Sequence, residues 1–213
     1  MEQEPTDGSQ SPNSDRLKNR KPRARKPRKA TPKSLENAAH YHLQRFASSS
    51  DNLRRVLGRR VERSARAHGT DRGEGRAAIE DIIARFKRAG LLDDAAYARG
   101  RALSLNRRGA SGKVIGAKLR EKGIDADLIA AAIGALDETH ADPELAAAAR
   151  YARRRRLGPY RPAEARAERR TKDLAALART GFGYSVALLV IDAENSGELE
   201  RQASMESASP NKR

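Results

Sequence analysis

The chain has 213 residues, with 44 Lys and Arg against 28 Asp and Glu and a formal charge of +16, so a polyanion, or a protein already bound to one, is the first class of partner to consider. With no Cys, disulfides, thiolate zinc sites and cysteine nucleophiles are excluded, and three Phe, five Tyr and no Trp are few for a base-stacking groove. The longest strongly apolar run, Val186 to Ile191, is far short of the roughly 20 residues that cross a bilayer, and the acidic Glu2, Glu4 and Asp7 fit neither secretory nor mitochondrial targeting, so a cytoplasmic location with no membrane contact is expected.

Residues 1 to 33 are rich in Pro, Ser, Lys and Arg and hold little that is apolar beyond Leu17. Burial there cannot offset the entropy of ordering, which predicts a disordered basic tail. Its run from Arg16 to Lys29 suits phosphate contacts that do not read sequence, or serves only to solubilise.

From 34 to 193 apolar residues recur at three and four, predicting an all-α body with helices over 34–46, 51–67, 74–89, 94–107, 111–122, 125–137, 143–157, 164–180 and 184–193. Ile79, Ile82, Ile83 and Phe86 share one face, as do Leu145, Ala148, Ala149 and Ala152 behind the start signal Asp142-Pro143-Glu144. A further stripe of Leu128, Ile129, Ala132, Ile133 and Leu136 is opened by Asp125, and Leu119, Ile124, Leu128 and Ile133 are expected to be buried together. Laid over each other at an offset of 58 residues, Leu119-x-x-x-Gly123-Ile124-x-x-x-Leu128 matches Leu177-x-x-x-Gly181-Phe182-x-x-x-Val186. Each Gly can take the left-handed conformation that closes a helix, with the next apolar residue packing back on the last turn. Repeated units of this kind imply a stacked array. Nine helices divide into three units, 34–92, 93–138 and 139–193, the first interrupted by a mobile loop insertion over 67–75; residues 194–213 lose periodicity and are expected to be a second disordered tail.

Two nucleotide motifs fail on inspection. Gly112-Lys113 has Arg107 and Val114 where a phosphate-binding loop needs Gly and Ser or Thr, and Gly73-x-Gly75-x-x-Ala78 follows no hydrophobic strand. His40 and His42 sit two apart, on different helix faces, and Asp93-Asp94 reads as a helix cap. No catalytic set stands out, so neither enzymatic activity, a metal nor a cofactor is expected. A helix-turn-helix over 111–137 is unattractive because its second helix has no Arg, Asn or Gln to read base edges. The candidate binding surface is instead a series of cation clusters: Arg107, Arg108, Lys113, Lys118, Arg120 and Lys122, then Arg150 with Arg153, Arg154, Arg155 and Arg156, then Arg166, Arg169, Arg170 and Lys172. Any one of these can be a solvated helix face; recurrence in neighbouring units favours a continuous basic surface.

Four segments then resemble the RecX family of regulators of the RecA recombinase: Gly90-Leu91-Leu92-Asp93-Asp94-x-x-Tyr97-Ala98, Arg107-Arg108-Gly109-x-Ser111, Leu119-Arg120-x-Lys122-Gly123-Ile124-Asp125, and Leu177-Ala178-Arg179-x-Gly181-Phe182. The resemblance implies three tandem three-helix repeats in a curved, elongated monomer that binds RecA-DNA filaments and modulates, usually inhibits, ATP hydrolysis and strand exchange. It transfers no catalytic site. Direct, sequence-neutral DNA binding by the basic surface is the alternative, and a helical scaffold joining other proteins a third.

Overall fold

The computed structural model describes residues 27–138 and 141–204. Among them are α1 (Pro32–Arg45), α2 (Ser50–His68), α3 (Arg72–Arg88), α4 (Asp94–Arg107), α5 (Gly112–Glu121), α6 (Ala126–Gly134), α7 (Pro143–Arg155), α8 (Ala163–Arg179), α9 (Tyr184–Ile191) and α10 (Ser196–Ser204), with 3-10 turns at Ala135–Glu138 and Gly158–Tyr160 and no strand. The protein is all-α.

Local chemistry sets the starts and stops. Thr31, Ser49, Asp71, Asp93, Ser111 and Asp142 each accept, through the side chain, the N–H three residues on, at 2.7 to 3.3 Å. These bonds satisfy donors that a helix start otherwise leaves orphaned. Asp125 precedes α6 without making such a bond. At the other end, Gly123 and Gly181 lie at φ 71° and 87°. The following N–H groups of Ile124 and Phe182 turn back to the carbonyls of Leu119 and Leu177, at 3.2 and 3.3 Å. The 58-residue match therefore has one backbone geometry in both copies.

Packing resolves into three cores. Leu35, Leu53, Leu57, Ile79, Ile82, Ile83 and Phe86 close the first, on α1 to α3. Ala98, Ala102, Leu105, Ile115, Leu119, Ile124 and Ile129 close the second, on α4 to α6. The third gathers Leu145, Ala148, Ala149, Ala152, Leu177, Phe182 and Val190, with Leu199 and Ala203 added from α10.

Several expectations need correction. Residues 196–204, assigned to the second tail, form α10: Asn195 accepts the Glu198 N–H at 2.7 Å, and Leu199 and Ala203, one turn apart, are buried against the third core. Two apolar residues in nine are too few for a visible period, yet they suffice when a neighbouring helix supplies the other half of the contact. The tract 67–75 is no long loop. Helix α2 runs to His68 and α3 starts at Arg72, leaving three connecting residues. Glu62 ties the two helices by accepting from both Arg66 (3.0 Å) and Arg72 (2.9 Å), and Gly75 is there because a Cβ would meet the Val61 methyl groups. Those two guanidiniums hold the Glu62 carboxyl down to about 2, Arg72 contributing more than Arg66. Its glycines thus serve close helix packing as well as the turn.

The N-terminal boundary also moves. Pro32 and Lys33 belong to α1, and residues 27–31 lie against α1 and α2; residues 1–26 and 205–213 fall outside the described part. Leu128 and Ile133 are only half buried, while Ile129 and Ala132 are sealed. Helix α6 is rotated so that 129, 132 and 136 face the core, with Gly116 opening room for Ile129 and Ile133. Helices expected to reach 137, 157 and 193 end at 134, 155 and 191.

Candidate basic interface

The cations are positioned by how the units join. The Ser49 hydroxyl, at the start of α2, donates to the Lys122 carbonyl at the end of α5 (2.5 Å). The Ser111 hydroxyl, at the start of α5, donates to the Thr180 carbonyl at the end of α8 (2.6 Å). Both serines are fully buried, and both cap their own helix at the same time. The middle helices of the three units thus meet end to end in the order α8, α5, α2, the negative end of each facing the positive start of the next. Gly123 and Gly181 sit at these two joints. A Cβ on Gly123 would collide with Asp51 and one on Gly181 with the Ser111 hydroxyl, 2.8 Å away, so the glycine needed for the turn is needed again for the close approach. The outer ends differ: α8 begins behind Pro162, which makes no side-chain cap, and α2 closes at Gly69 with open space around it.

Further bonds lock each joint. At the first, Asp94 accepts the Ser50 N–H (2.7 Å) and pairs with Lys87 (3.0 Å), so of the two aspartates only Asp93 caps α4. Burial pushes the Asp94 carboxyl up, but Ser50 and Lys87 outweigh it and hold it below its ordinary value. At the second, buried Asn106 donates to the Pro143 carbonyl (2.9 Å), and Glu144 accepts the Gly112 N–H (3.0 Å). Burial raises the Glu144 pKa, with Asp142 adding to the rise.

The expected site residues divide into two groups. Lys122 reaches Asn52 across the first joint (3.4 Å), Arg153 lies 3.5 Å from Glu200, Arg154 bonds the Arg108 carbonyl and stacks on Tyr151, Arg169 lies 3.6 Å from Glu168, and Arg170 is held bidentate by Asp192 at 2.7 Å. Arg166 is architectural, donating to the carbonyls of Pro159, Arg161 and Glu194. By contrast Arg107, Arg108, Lys113, Lys118, Arg120, Arg155, Arg156 and Lys172 are exposed and form no ion pair among the described residues. Lys113 also lies over Gly181 at the second joint. Arg156 ends α7 at φ 53°, a left-handed position that costs a non-glycine residue roughly 1–2 kcal/mol.

One set of cations escaped the sequence reading. Arg55, Arg59, Arg63 and Arg66 recur at three and four along the exposed side of α2, and the Arg55 guanidinium donates to the Glu121 carbonyl (2.6 Å), so this side continues onto α5. The spacing was visible in the sequence. It was passed over because the first unit was read as irregular.

No cluster of three or more His, Asp or Glu that could hold a metal occurs among the described residues. His40 lies against the Phe86 ring, 4.7 Å between centroids, and His42 against Phe46 at 5.4 Å. No helix among the described residues is long and apolar enough to cross a membrane.

A family model described as RecX, second three-helix domain, matches residues 93–133, which are α4, α5 and α6. A regulatory protein RecX of Myxococcus xanthus is 47% identical over 179 residues, covering 84% of this chain and 94% of the relative. The chain belongs to the RecX family. Two other proteins named regulatory protein RecX align more distantly. That of Agrobacterium fabrum is 33% identical over 73% of this chain and 80% of its own length, and that of Thermobifida fusca 32% identical over 56% and 63%. No solved structure matches the chain significantly. The segment matching the RecX domain carries both halves of the joint chemistry, Ser111 at one end of α5 and Gly123 at the other.

Proposed function

We propose that this RecX-family chain regulates a RecA-type recombinase by binding along the recombinase-DNA filament and lowering ATP hydrolysis and strand exchange. The observation that carries the reading is the 47% identity to a regulatory protein RecX over nearly its whole length. The architecture supports it. Laid end to end, α2, α5 and α8 would span on the order of 70 Å at 1.5 Å per residue, enough to touch more than one subunit of a helical filament. Bridging subunits biases their relative geometry, and a ligand shifts an equilibrium only by its differential affinity for the two states. Inhibition therefore requires tighter binding to a less active filament than to the active one. In this reading the unpaired cations Arg107, Arg108, Lys118, Arg120, Arg155, Arg156 and Lys172 face the filament.

The deciding measurement is the DNA-dependent ATPase of the cognate recombinase with the protein added. The expected result is a fall in rate below one molecule per filament subunit. Unchanged ATPase and strand exchange at equimolar protein would refute the proposal. A second reading, sequence-neutral binding to DNA alone, draws on the same exposed cations and is separated by running naked DNA beside the filament.

A further inference from the structure

A separate cationic feature sits on the first unit. Residues 27–31 are pinned along α1 and α2: the Ala30 N–H donates to the Ser64 hydroxyl (2.9 Å), the His68 Nε2 bonds the Pro27 carbonyl (2.6 Å), and the Ser34 hydroxyl donates to the Lys29 carbonyl (2.8 Å). The pinned segment forms one wall of a cleft of about 420 Å³, with α1 and α2 as the others. Arg28 and Lys29 line it from the segment and Arg60 and Arg63 from α2; no carboxylate lines it. All four are exposed and form no ion pair among the described residues, whereas Arg54, Arg55 and Arg66 on the same helix are paired with Glu80, Asp51 and Glu62. Four cations held together by backbone anchoring, with no acid between them, repel one another until an anion enters.

We propose that this cleft binds the phosphodiester backbone of nucleic acid, giving the first unit a grip of its own, apart from the surface assigned above to the filament. A polymer fits better than a lone phosphate, because the dense Lys and Arg run of residues 16–26 is covalently joined to the cleft at Pro27 and carries positive charge well past one anion. A backbone fits better than an acidic peptide. The aliphatic lining is sealed, Leu35 at 1% and Ala38 at 8% exposure, and offers no anchor for a peptide side chain. Tyr41, 56% exposed on the cleft wall, instead presents a ring on which a base can stack.

The test is fluorescence anisotropy of the full chain with a labelled oligonucleotide, single-stranded and duplex, over a range of salt. It contains no recombinase, so its outcome is independent of the filament reading. Replacing both cleft arginines, R60Q/R63Q, should flatten the log affinity against log salt slope by about 1.4 on single strands and about 1.8 on duplex, from roughly 0.7 and 0.9 per lost phosphate contact. R60K/R63K should keep the slope, as should R76Q/R88Q, which removes the same charge from exposed sites on α3. Thermal unfolding of each variant checks that the fold is intact. The larger change, on single strand or duplex, identifies the form of nucleic acid bound. A wild-type slope for R60Q/R63Q on both forms would overturn the proposal, and so would displacement of the oligonucleotide by an acidic peptide at equal concentration of charge.

Discussion

Asp173 shows how much a single residue holds in the third unit. It lies 2% exposed in α8 and accepts the Gly158 N–H at 3.0 Å and both arms of Arg161 at 2.8 Å, so the 3-10 turn ahead of α8 is clamped to the helix. Burial pushes its carboxyl up, but the Arg161 fork and the Gly158 N–H outweigh this and hold it below the ordinary Asp value. Asp173→Ala should lower stability by about 3–5 kcal/mol, because it removes one partner of a largely buried pair and leaves the other unsatisfied. Chemical unfolding checks this. Since the native pKa lies below the unfolded one, the contribution is complete above roughly pH 3.9 and fades as pH falls through the native value. Wild type should therefore lose its margin over D173N in unfolding scans carried into that acid range. Nothing in the sequence marks this pair, since Arg161 and Asp173 are twelve residues apart and meet only because the turn folds back on α8.

At the scale of elements, the periodic helices were legible to within a few residues, and the 58-residue match exposed a real equivalence between the ends of α5 and α8. What it could not expose was its second purpose, that Gly123 and Gly181 are also where the next unit arrives. The serines that complete those joints read only as helix caps, because a sequence shows a hydroxyl's own helix and not the carbonyl delivered from elsewhere. Likewise α10 stayed hidden, its two buried residues meaning nothing without α7. Rotation within a helix was also misjudged, with consequences for mutagenesis. Leu119→Ala, at a position with no exposure, should lower stability by about 2–5 kcal/mol. Leu128→Ala, half exposed, should lower it by clearly less, and equal midpoints for the two variants in urea would contradict the packing of α6.

For the whole molecule, composition announced the basic character, yet the fate of each cation depended on where the acids fell. Arg170 and Arg153 are partnered, and Lys122 helps fasten two units together, so reversing it would place a carboxylate beside Asp51 and disturb the joint. Lys118 and Arg120 are the cleaner probes, exposed and clear of both joints. K118E/R120E should weaken inhibition of the recombinase ATPase while leaving the unfolding midpoint unchanged. Parallel loss of naked-DNA binding would favour the DNA-only reading, and full inhibition would remove these residues from the interface. The order of the array bears on its length. A contact that joins the front of one unit to the back of the next is of the kind that, left open, adds copies without limit and grows fibres. Here the last front carries Pro162 in place of the serine that makes every inner joint, and so lacks the hydroxyl a fourth unit would require. One imino acid thus makes the molecule a ruler of fixed length, with two blunt ends that do not recognise each other.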